Sequence, residues 1–161
     1  MNIRLLFCLI CTVLPACAVT TEDCGQLPDD QTIGNAGCMI VQDGKLLMIQ
    51  QRISGLWALP GGTAEPGERA VCSAQRETYE ETGFRVQVRH KIREFGNGFQ
   101  LYSCELEQRS SGGPLDKVEV ATYSWFDQVQ RQSVPLRFEQ QRALVDQLVL
   151  EEQARKQPTA P

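Results

Sequence analysis

Three glutamates constrain what this sequence can fold into more than any other feature. Glu77, Glu80 and Glu81 stand at positions i, i+3 and i+4, so a helix would place their carboxylates on one face. Like charges at this spacing repel one another and destabilise an isolated helix. A hard divalent cation such as Mg²⁺ removes that cost, because it takes oxygen ligands and shares them with substrate phosphates. The spacing therefore predicts a helix that binds a metal ion.

The residues around the glutamates predict where this helix begins and ends. Gly61 and Gly62 follow an apolar run, which predicts a strand ending in a glycine turn whose backbone can approach a ligand closely. The helix should begin near Glu68 or Arg69 and stop at Gly83, which suits a left-handed C-terminal position. Its core face should carry the small and apolar residues at helical spacing: Ala70, Val71, Ala74 and Thr78.

Residues 62–84 as a whole resemble the Nudix box, G-x5-E-x7-R-E-U-x-E-E-x-G-U, in which U is a bulky apolar residue. Thr78 occupies the first U position and is a departure that places less apolar bulk beneath the helix. An acidic, solvated helix face is the alternative explanation, but it does not account for the glycines, the arginine and the acids together. The matching positions are Gly62, Glu68, Arg76, Glu77, Glu80, Glu81, Gly83 and Phe84.

The resemblance implies a hydrolase that cleaves the diphosphate of a nucleoside diphosphate linked to another group X. It implies three metal ligands on the helix, Glu77, Glu80 and Glu81, of which Glu80 and Glu81 are also catalytic. Arg76 joins them as a catalytic residue, because a guanidinium four residues before Glu80 can hold a carboxylate in place. The expected cofactor is Mg²⁺, with Mn²⁺ as the alternative. Backbone groups of the glycine turn, Gly61 and Gly62, are the expected substrate contacts.

Further site residues are expected outside the helix. Family members often take a base or an extra ligand from a later loop or strand, and Glu119, which follows the loop at 110–114, fits that position. Glu65 is a weaker candidate, and Glu68 either supports the metal site or favours the helix start, where an acid is stabilised. Four aromatic residues could stack on a nucleobase, although each also suits the core: Trp57, Phe95, Phe99 and Tyr102.

Two other functions compete with hydrolysis. A Nudix-like module that binds a nucleotide without cleaving it is the main alternative, but such modules tend to have lost acids that are intact in this sequence. An isomerase acting on an isoprenoid diphosphate also exists among Nudix relatives. It would require further catalytic cysteine and glutamate positions that the sequence does not reveal.

Apolar runs and turn residues predict the remaining elements. Their order of strands, one helix, more strands and a final helix predicts an α+β fold or an α/β/α sandwich; the resemblance adds a mixed β-sheet between the helices. Asp43-Gly44 should form the tight turn of a hairpin. Predicted strands cover residues 36–42, 45–51, 84–95, 99–106 and 118–126, a short strand ends at Pro60, and a last helix covers 138–149.

Length, charge and the N-terminal pattern predict the domain organisation. The 161 residues are enough for one domain of ordinary size. A net charge of −4 argues against a nucleic-acid partner, which would require a basic surface. A charged start, a short apolar run and small residues predict a signal peptide at residues 1–18. A hydrolase domain at 19–150 and a flexible tail at 151–161 complete the prediction.

Two cleavage sites in the predicted signal lead to different mature proteins. Cleavage after Ala18 would release a soluble protein. Cleavage after Ala16 would leave Cys17 as a lipidated first residue that anchors the protein to a membrane, as in a bacterial lipoprotein. Both predict an exported protein, and a periplasmic one in a bacterium; the oligomeric state stays open.

The cysteines fit an oxidising compartment, where disulfides persist. Four of the seven follow the predicted signal peptide: Cys24, Cys38, Cys72 and Cys104. Four cysteines allow three pairings, and we expect Cys24 with Cys38 and Cys72 with Cys104. A zinc site is the rival interpretation, but this part of the chain has no C-x-x-C motif and His90 is the only histidine.

Overall fold

The computed structural model describes Cys24, Leu27 and residues 29–107, 113–114 and 116–156. The predicted signal peptide, including Cys17, and the end of the predicted tail lie outside these residues. Among the helices of the described part, none has the length and apolar character needed to cross a membrane.

The first of two β-sheets contains both parallel and antiparallel pairs. Its order is β5 (Gly61–Gly62), β1 (Ala36–Met39), β7 (Gln100–Leu106) and β6 (Val86–Glu94). β1 and β7 run parallel, whereas β1–β5 and β6–β7 are antiparallel. The glycine strand β5 therefore lies at the edge of a mixed sheet, as the resemblance implied.

The second sheet is antiparallel and is built around β3 (Lys45–Gln51). This strand pairs with β2 (Val41–Gln42), β4 (Trp57–Ala58) and β8 (Val120–Phe126). The turn between β2 and β3 is Asp43-Gly44, whose φ angles are 49° and 76°. Positive φ at both central residues is the requirement of a tight hairpin turn, so the predicted hairpin is confirmed.

Three α-helices and a short 3₁₀ helix complete the described chain. They are α1 (Ala70–Thr82), α2 (Gln128–Gln132), the 3₁₀ turn Glu139–Gln141 and α3 (Arg142–Lys156). Gly83 ends α1 with a φ of 74°, which confirms its predicted left-handed position.

Side chains of β1 alternate between two cores on opposite faces of the first sheet, as the period of a strand requires. Ala36 and Cys38 join the core that α1 covers. Met39 joins the other core, together with Leu148 and Val149 of α3. This helix–sheet–helix order confirms the α+β fold and its α/β/α sandwich. The residues predicted to face inward from α1 are all buried: Ala70, Val71, Ala74 and Thr78.

Helix α3 is longer than the sequence suggested, because a buried acid anchors its last turns. Glu152 accepts a hydrogen bond from Ser103 Oγ at 2.6 Å, and its other oxygen lies 2.9 Å from His90 Nε2. Burial of this carboxylate is compensated by these polar partners. Residues 151–156 are therefore helical, which corrects the prediction that the chain frays from Glu151.

The disulfides differ from the expected pairing. Cys24 bonds to Cys72 on α1, and Cys38 on β1 bonds to Cys104 on β7. The predicted Cys24–Cys38 and Cys72–Cys104 bonds are therefore wrong. Parallel pairing of β1 with β7 places Cys38 opposite Tyr102 and within a Cα–Cα distance of 5.5 Å from Cys104, a separation that a disulfide spans.

Candidate metal and active site

Arg76 organises the acidic face of α1. Its Nε and Nη2 donate to the two oxygens of Glu68 at 2.9 and 2.8 Å, a bidentate pair that links the helix to the preceding loop. Nη1 donates to Glu77 Oε1 at 2.9 Å and to Glu80 Oε2 at 3.1 Å, and Nη2 also reaches the Thr63 carbonyl. One guanidinium thus holds three of the acids that match the box.

Glu81 points toward the glycine strand β5, which corrects the predicted glycine turn, rather than toward Arg76. Its Oε2 accepts a hydrogen bond of 2.8 Å from the Gly61 amide, and the residue is only 7% exposed. Burial raises the pKa of Glu81 to about 8, with a further contribution from the charges of Glu77 and Glu119. A buried carboxylate whose charge is this poorly compensated is suited to bind a cation.

Glu77 lies against the backbone of Gly62. A Cβ atom added to Gly62 would stand 2.5 Å from Glu77 Oε2, so only glycine leaves room for the carboxylate in this position. Burial raises the pKa of Glu77, and the charges of Glu80 and Glu119 add to this, whereas Arg76 opposes it. The predicted glycines therefore contact two of the predicted ligands.

Glu119 reaches this acidic face from a distant part of the chain. Its charge acts on both Glu77 and Glu81, raising the pKa of each. The loop that carries it is tied to α1 by a hydrogen bond from the Asp116 amide to the Glu80 carbonyl at 2.9 Å. Asp116 Oδ1 in turn accepts from the Glu119 amide, which fixes the backbone that carries the Glu119 side chain.

Carboxylate oxygens are the type of ligand that a divalent cation prefers. In this structure, however, the carboxylates do not converge on one position. Within the described ranges, no group of three or more histidine, cysteine, aspartate or glutamate side chains is arranged to hold a metal ion. Glu77 and Glu80 are instead engaged by Arg76, and Glu81 by an amide. Arg76 engages Oε2 of Glu80, whose side chain is 44% exposed. Joint ligation would draw these carboxylates toward a single cation.

A cavity of about 280 Å³ has one of the acids, Glu81, in its wall. Gly61 also forms part of its wall, and three of the aromatic candidates line it: Trp57, Phe95 and Phe99. Tyr102, the fourth candidate, is wrong, because it is fully buried and donates its hydroxyl to Asp30 at 2.8 Å. Glu65 is exposed in the loop, and its backbone contacts Glu68: the Glu65 amide donates to the Glu68 side chain, and the Glu65 carbonyl accepts from the Glu68 amide.

The pKa of Glu81 predicts that the metal-free protein loses stability as the pH rises. Between the unfolded pKa of about 4.3 and the folded value of about 8, the folded state binds the extra proton. The free energy of unfolding should therefore fall by about 3–4 kcal/mol from pH 5 to pH 8. Denaturant titrations in EDTA measure this change. A Glu81→Gln variant should show a smaller pH dependence; equal slopes in both proteins would contradict the prediction.

A Gly62→Ala substitution should disturb the site more than the fold. The added methyl group would push the Glu77 carboxylate aside, since a flexible side chain yields more easily than backbone. We expect turnover to fall at least about tenfold while the free energy of unfolding changes by less than about 1 kcal/mol. Gly96→Ala is the matched control, because a Cβ there meets no atom within 4 Å. Equal activity of the two variants would refute the role of Gly62.

Comparisons with known proteins identify the family of this chain. The family model described as the NUDIX domain matches residues 32–157. A MutT-like protein of Streptomyces ambofaciens is 41% identical over 61 residues, which are 38% of this chain and 40% of that protein. Nucleoside diphosphate-linked moiety X motif 6 of Mus musculus is 33% identical over 107 residues, 59% of this chain and 34% of that protein. The matched segments thus span well under half of these relatives.

Solved structures share the fold at low sequence identity. An ADP-ribose pyrophosphatase from Streptococcus suis 89-1591 matches with a TM-score of 0.64 and 22% identity, covering 79% of this chain and 94% of that one. A UDP-X diphosphatase matches with a TM-score of 0.61 and 23% identity, covering 74% and 63%. Because the family model extends from before β1 to the end of α3, the chain belongs to the Nudix family.

Proposed function

We propose that the protein is a Mg²⁺-dependent hydrolase that cleaves the diphosphate of a nucleoside diphosphate linked to another moiety. The observation that carries this proposal is the acidic face of α1, where Arg76 holds Glu77 and Glu80 while buried Glu81 borders a cavity. The names of two similar proteins support it, since one contains the words nucleoside diphosphate-linked moiety X and the other is a UDP-X diphosphatase.

The proposed reaction is hydrolysis of a phosphoanhydride. The oxygen of water forms a bond to one phosphorus, and the bond between that phosphorus and the bridging oxygen breaks. The bridging oxygen leaves on the second phosphate, and the two protons of water are released on ionisation of the products. A bound divalent cation withdraws charge from the phosphate oxygens, and Mg²⁺ suits all-oxygen ligands, with Mn²⁺ as an alternative.

Residues of the chain would supply the metal ligands, the group that positions them and the base. Glu77, Glu80 and Glu81 would hold the cation, with a carbonyl of Gly61 or Gly62 contributing to cation or substrate binding. Arg76 keeps the carboxylates in place through the contacts described above. Glu119 would accept a proton from the attacking water, because it is an exposed carboxylate whose charge reaches the acidic face.

A substrate panel tests the proposal. Diphosphate-linked nucleotides, including ADP-ribose, UDP-sugars, dinucleoside polyphosphates and nucleoside triphosphates, are incubated with Mg²⁺, with Mn²⁺ and with EDTA, and products are separated by chromatography. We expect cleavage of at least one compound that requires a divalent cation. Absence of any product with every compound and both metals would refute the hydrolase.

A nucleotide-binding module without activity is the second candidate. The observation that favours it is the engagement of Glu77 and Glu80 by Arg76, which leaves no preformed metal cluster among the described residues. Tight binding of a nucleotide with no product after prolonged incubation would support this function over hydrolysis.

We also propose that the protein is exported and works outside the cytoplasm. Two disulfides join the described cysteines, and disulfides persist in oxidising compartments. Cleavage after Ala18 would remove residues 1–18, whereas cleavage after Ala16 would remove residues 1–16 and leave a lipidated Cys17 that anchors the chain to the membrane. Mass spectrometry of the natural N-terminus distinguishes the two, and a mature protein that begins at Met1 in the cytosolic fraction would refute export.

A further inference from the structure

The strand that follows Glu119 carries a β-bulge at its start. Gln50 of β3 lies opposite Thr122 of β8, whereas the next residue of β3 lies opposite Val120. Ala121, between these two residues of β8, is therefore an extra residue in the pairing. An extra residue turns the side chains on its far side toward the other face of a sheet. The bulge thus helps to set the direction in which the chain presents Glu119.

Arg52 binds the backbone on both sides of Glu119. Its amide donates to the Glu119 carbonyl at 2.8 Å. From its side chain, Nε donates to the Lys117 carbonyl at 2.6 Å and Nη2 donates to the Val120 carbonyl at 3.0 Å. Because a bulge disrupts the hydrogen-bond ladder of a sheet locally, these donors stabilise the backbone at the point where the ladder is interrupted.

The guanidinium of Arg52 is committed to these carbonyls although the residue is exposed. Ordering a long exposed side chain costs conformational entropy, which the hydrogen bonds have to offset. Hydrogen bonds from a charged donor are stronger than those between neutral groups. The side chain of Arg52 therefore acts as a support for the neighbouring loop rather than as a solvated surface charge.

The turn that carries Arg52 is itself held by hydrogen bonds. Gln50 Nε2 donates to the Gly55 carbonyl at 2.9 Å, and the Gly55 amide donates to the Gln51 carbonyl at 2.9 Å. A side chain and a backbone amide thus close the same turn between β3 and β4. Arg52 extends from a turn of fixed shape, which is what a support for another loop requires.

From this arrangement we infer that Arg52 is a positioning residue for Glu119, holding the bulged backbone so that the Glu119 carboxylate faces the acids of α1. The inference rests on the proposed function, in which Glu119 accepts a proton from the attacking water. It adds to that site a residue that lies outside both the acidic helix and the cavity wall. Arginine suits the role, because its planar fork presents several N–H donors in fixed directions. Arg52 acts through Glu119 and does not touch the reacting atoms.

A double-mutant cycle on turnover tests this role. Arg52→Gln should lower kcat by roughly 10–100-fold, because displacing a reacting group by about 1 Å can cost about 10²-fold. Glu119→Gln removes the base itself and sets the largest loss that Arg52 can cause through it. Adding Arg52→Gln to Glu119→Gln should therefore lower kcat no further than Glu119→Gln alone. A residue that only supports the fold would instead give additive losses.

Hydrogen exchange followed by mass spectrometry measures the state of the loop without turnover. In Arg52→Gln, the amides of residues 116–120 should exchange at least about fivefold faster, while those of α3 should be unchanged. Arg52→Lys, which keeps a charged donor but not the fork, should recover part of both effects. Arg93→Gln is the matched control, because it removes an exposed arginine of β6 outside the cavity wall. It should match the original protein in turnover and exchange.

The outcomes separate this inference from the proposed function. If the original protein cleaves a diphosphate, full turnover by Arg52→Gln or additive losses in the double variant would overturn the inference and leave the hydrolase standing. If the original protein cleaves no panel compound, the hydrolase is wrong, and exchange decides the role of Arg52. Faster exchange of residues 116–120 in Arg52→Gln would then support its hold on the Glu119 loop, and unchanged exchange would overturn it.

Discussion

Replacing Glu81 by glutamine should reduce turnover by about 10³-fold while leaving the protein folded. Glutamine keeps an oxygen that can accept the Gly61 amide, the hydrogen bond seen at 2.8 Å, but it removes the negative charge that a cation requires. Loss of a group that acts directly on the reaction costs roughly 10²–10⁴ in rate. The same reasoning applies to Glu80→Gln, which also removes a partner of Arg76. Steady-state kinetics on the best panel substrate measure the effect.

Two further measurements make this prediction specific. Glu151→Gln is the matched control, because it neutralises an exposed glutamate on α3 outside the cavity wall, and it should retain full activity. Calorimetric titration with Mg²⁺ should show weaker binding by Glu81→Gln than by the control. Full turnover by a folded Glu81→Gln protein would remove the basis for placing the reaction at this face of α1.

Removing the Cys38–Cys104 disulfide should lower the free energy of unfolding more than any of the single substitutions above. The bond joins residues 66 positions apart, and a cross-link that closes a loop of this length stabilises a protein by about 4 kcal/mol in the chain-entropy account. The Cys38→Ala, Cys104→Ala double variant should therefore unfold at a temperature about 10 °C lower. Thermal unfolding followed by circular dichroism measures the shift.

Reductant provides the control for the disulfide prediction. It should destabilise the original protein and have no such effect on a variant in which Cys24, Cys38, Cys72 and Cys104 are all replaced by alanine. A double variant with the original melting temperature would show that the bond contributes nothing to folding.

The sequence alone allowed correct prediction of features that depend on neighbouring residues. Helix α1, its buried side and its end at Gly83 follow from helical spacing and the φ preference of glycine. The hairpin turn at Asp43-Gly44 follows from the same kind of local constraint. The acidic face of α1 was equally accessible, because residues three and four apart on a helix must share a face.

Contacts between distant segments could be identified only from the tertiary structure. The disulfides were mispredicted because nothing in the local pattern reveals that β1 pairs in parallel with β7, more than 60 residues later. The end of α3 was placed too early because the partners that anchor Glu152, Ser103 and His90, come from two other strands.

The cavity shows the same division between local pattern and tertiary structure. Arg137 and Phe138 carry no periodic or motif signal, and they line the cavity with Glu81 only because backbone hydrogen bonds join their segment to Trp57. Helical geometry acts over one or two turns, so a single sequence determines which side chains of α1 stand together. Which remote side chains face them depends on strand order and long-range packing, and these are decided only when the whole chain has folded.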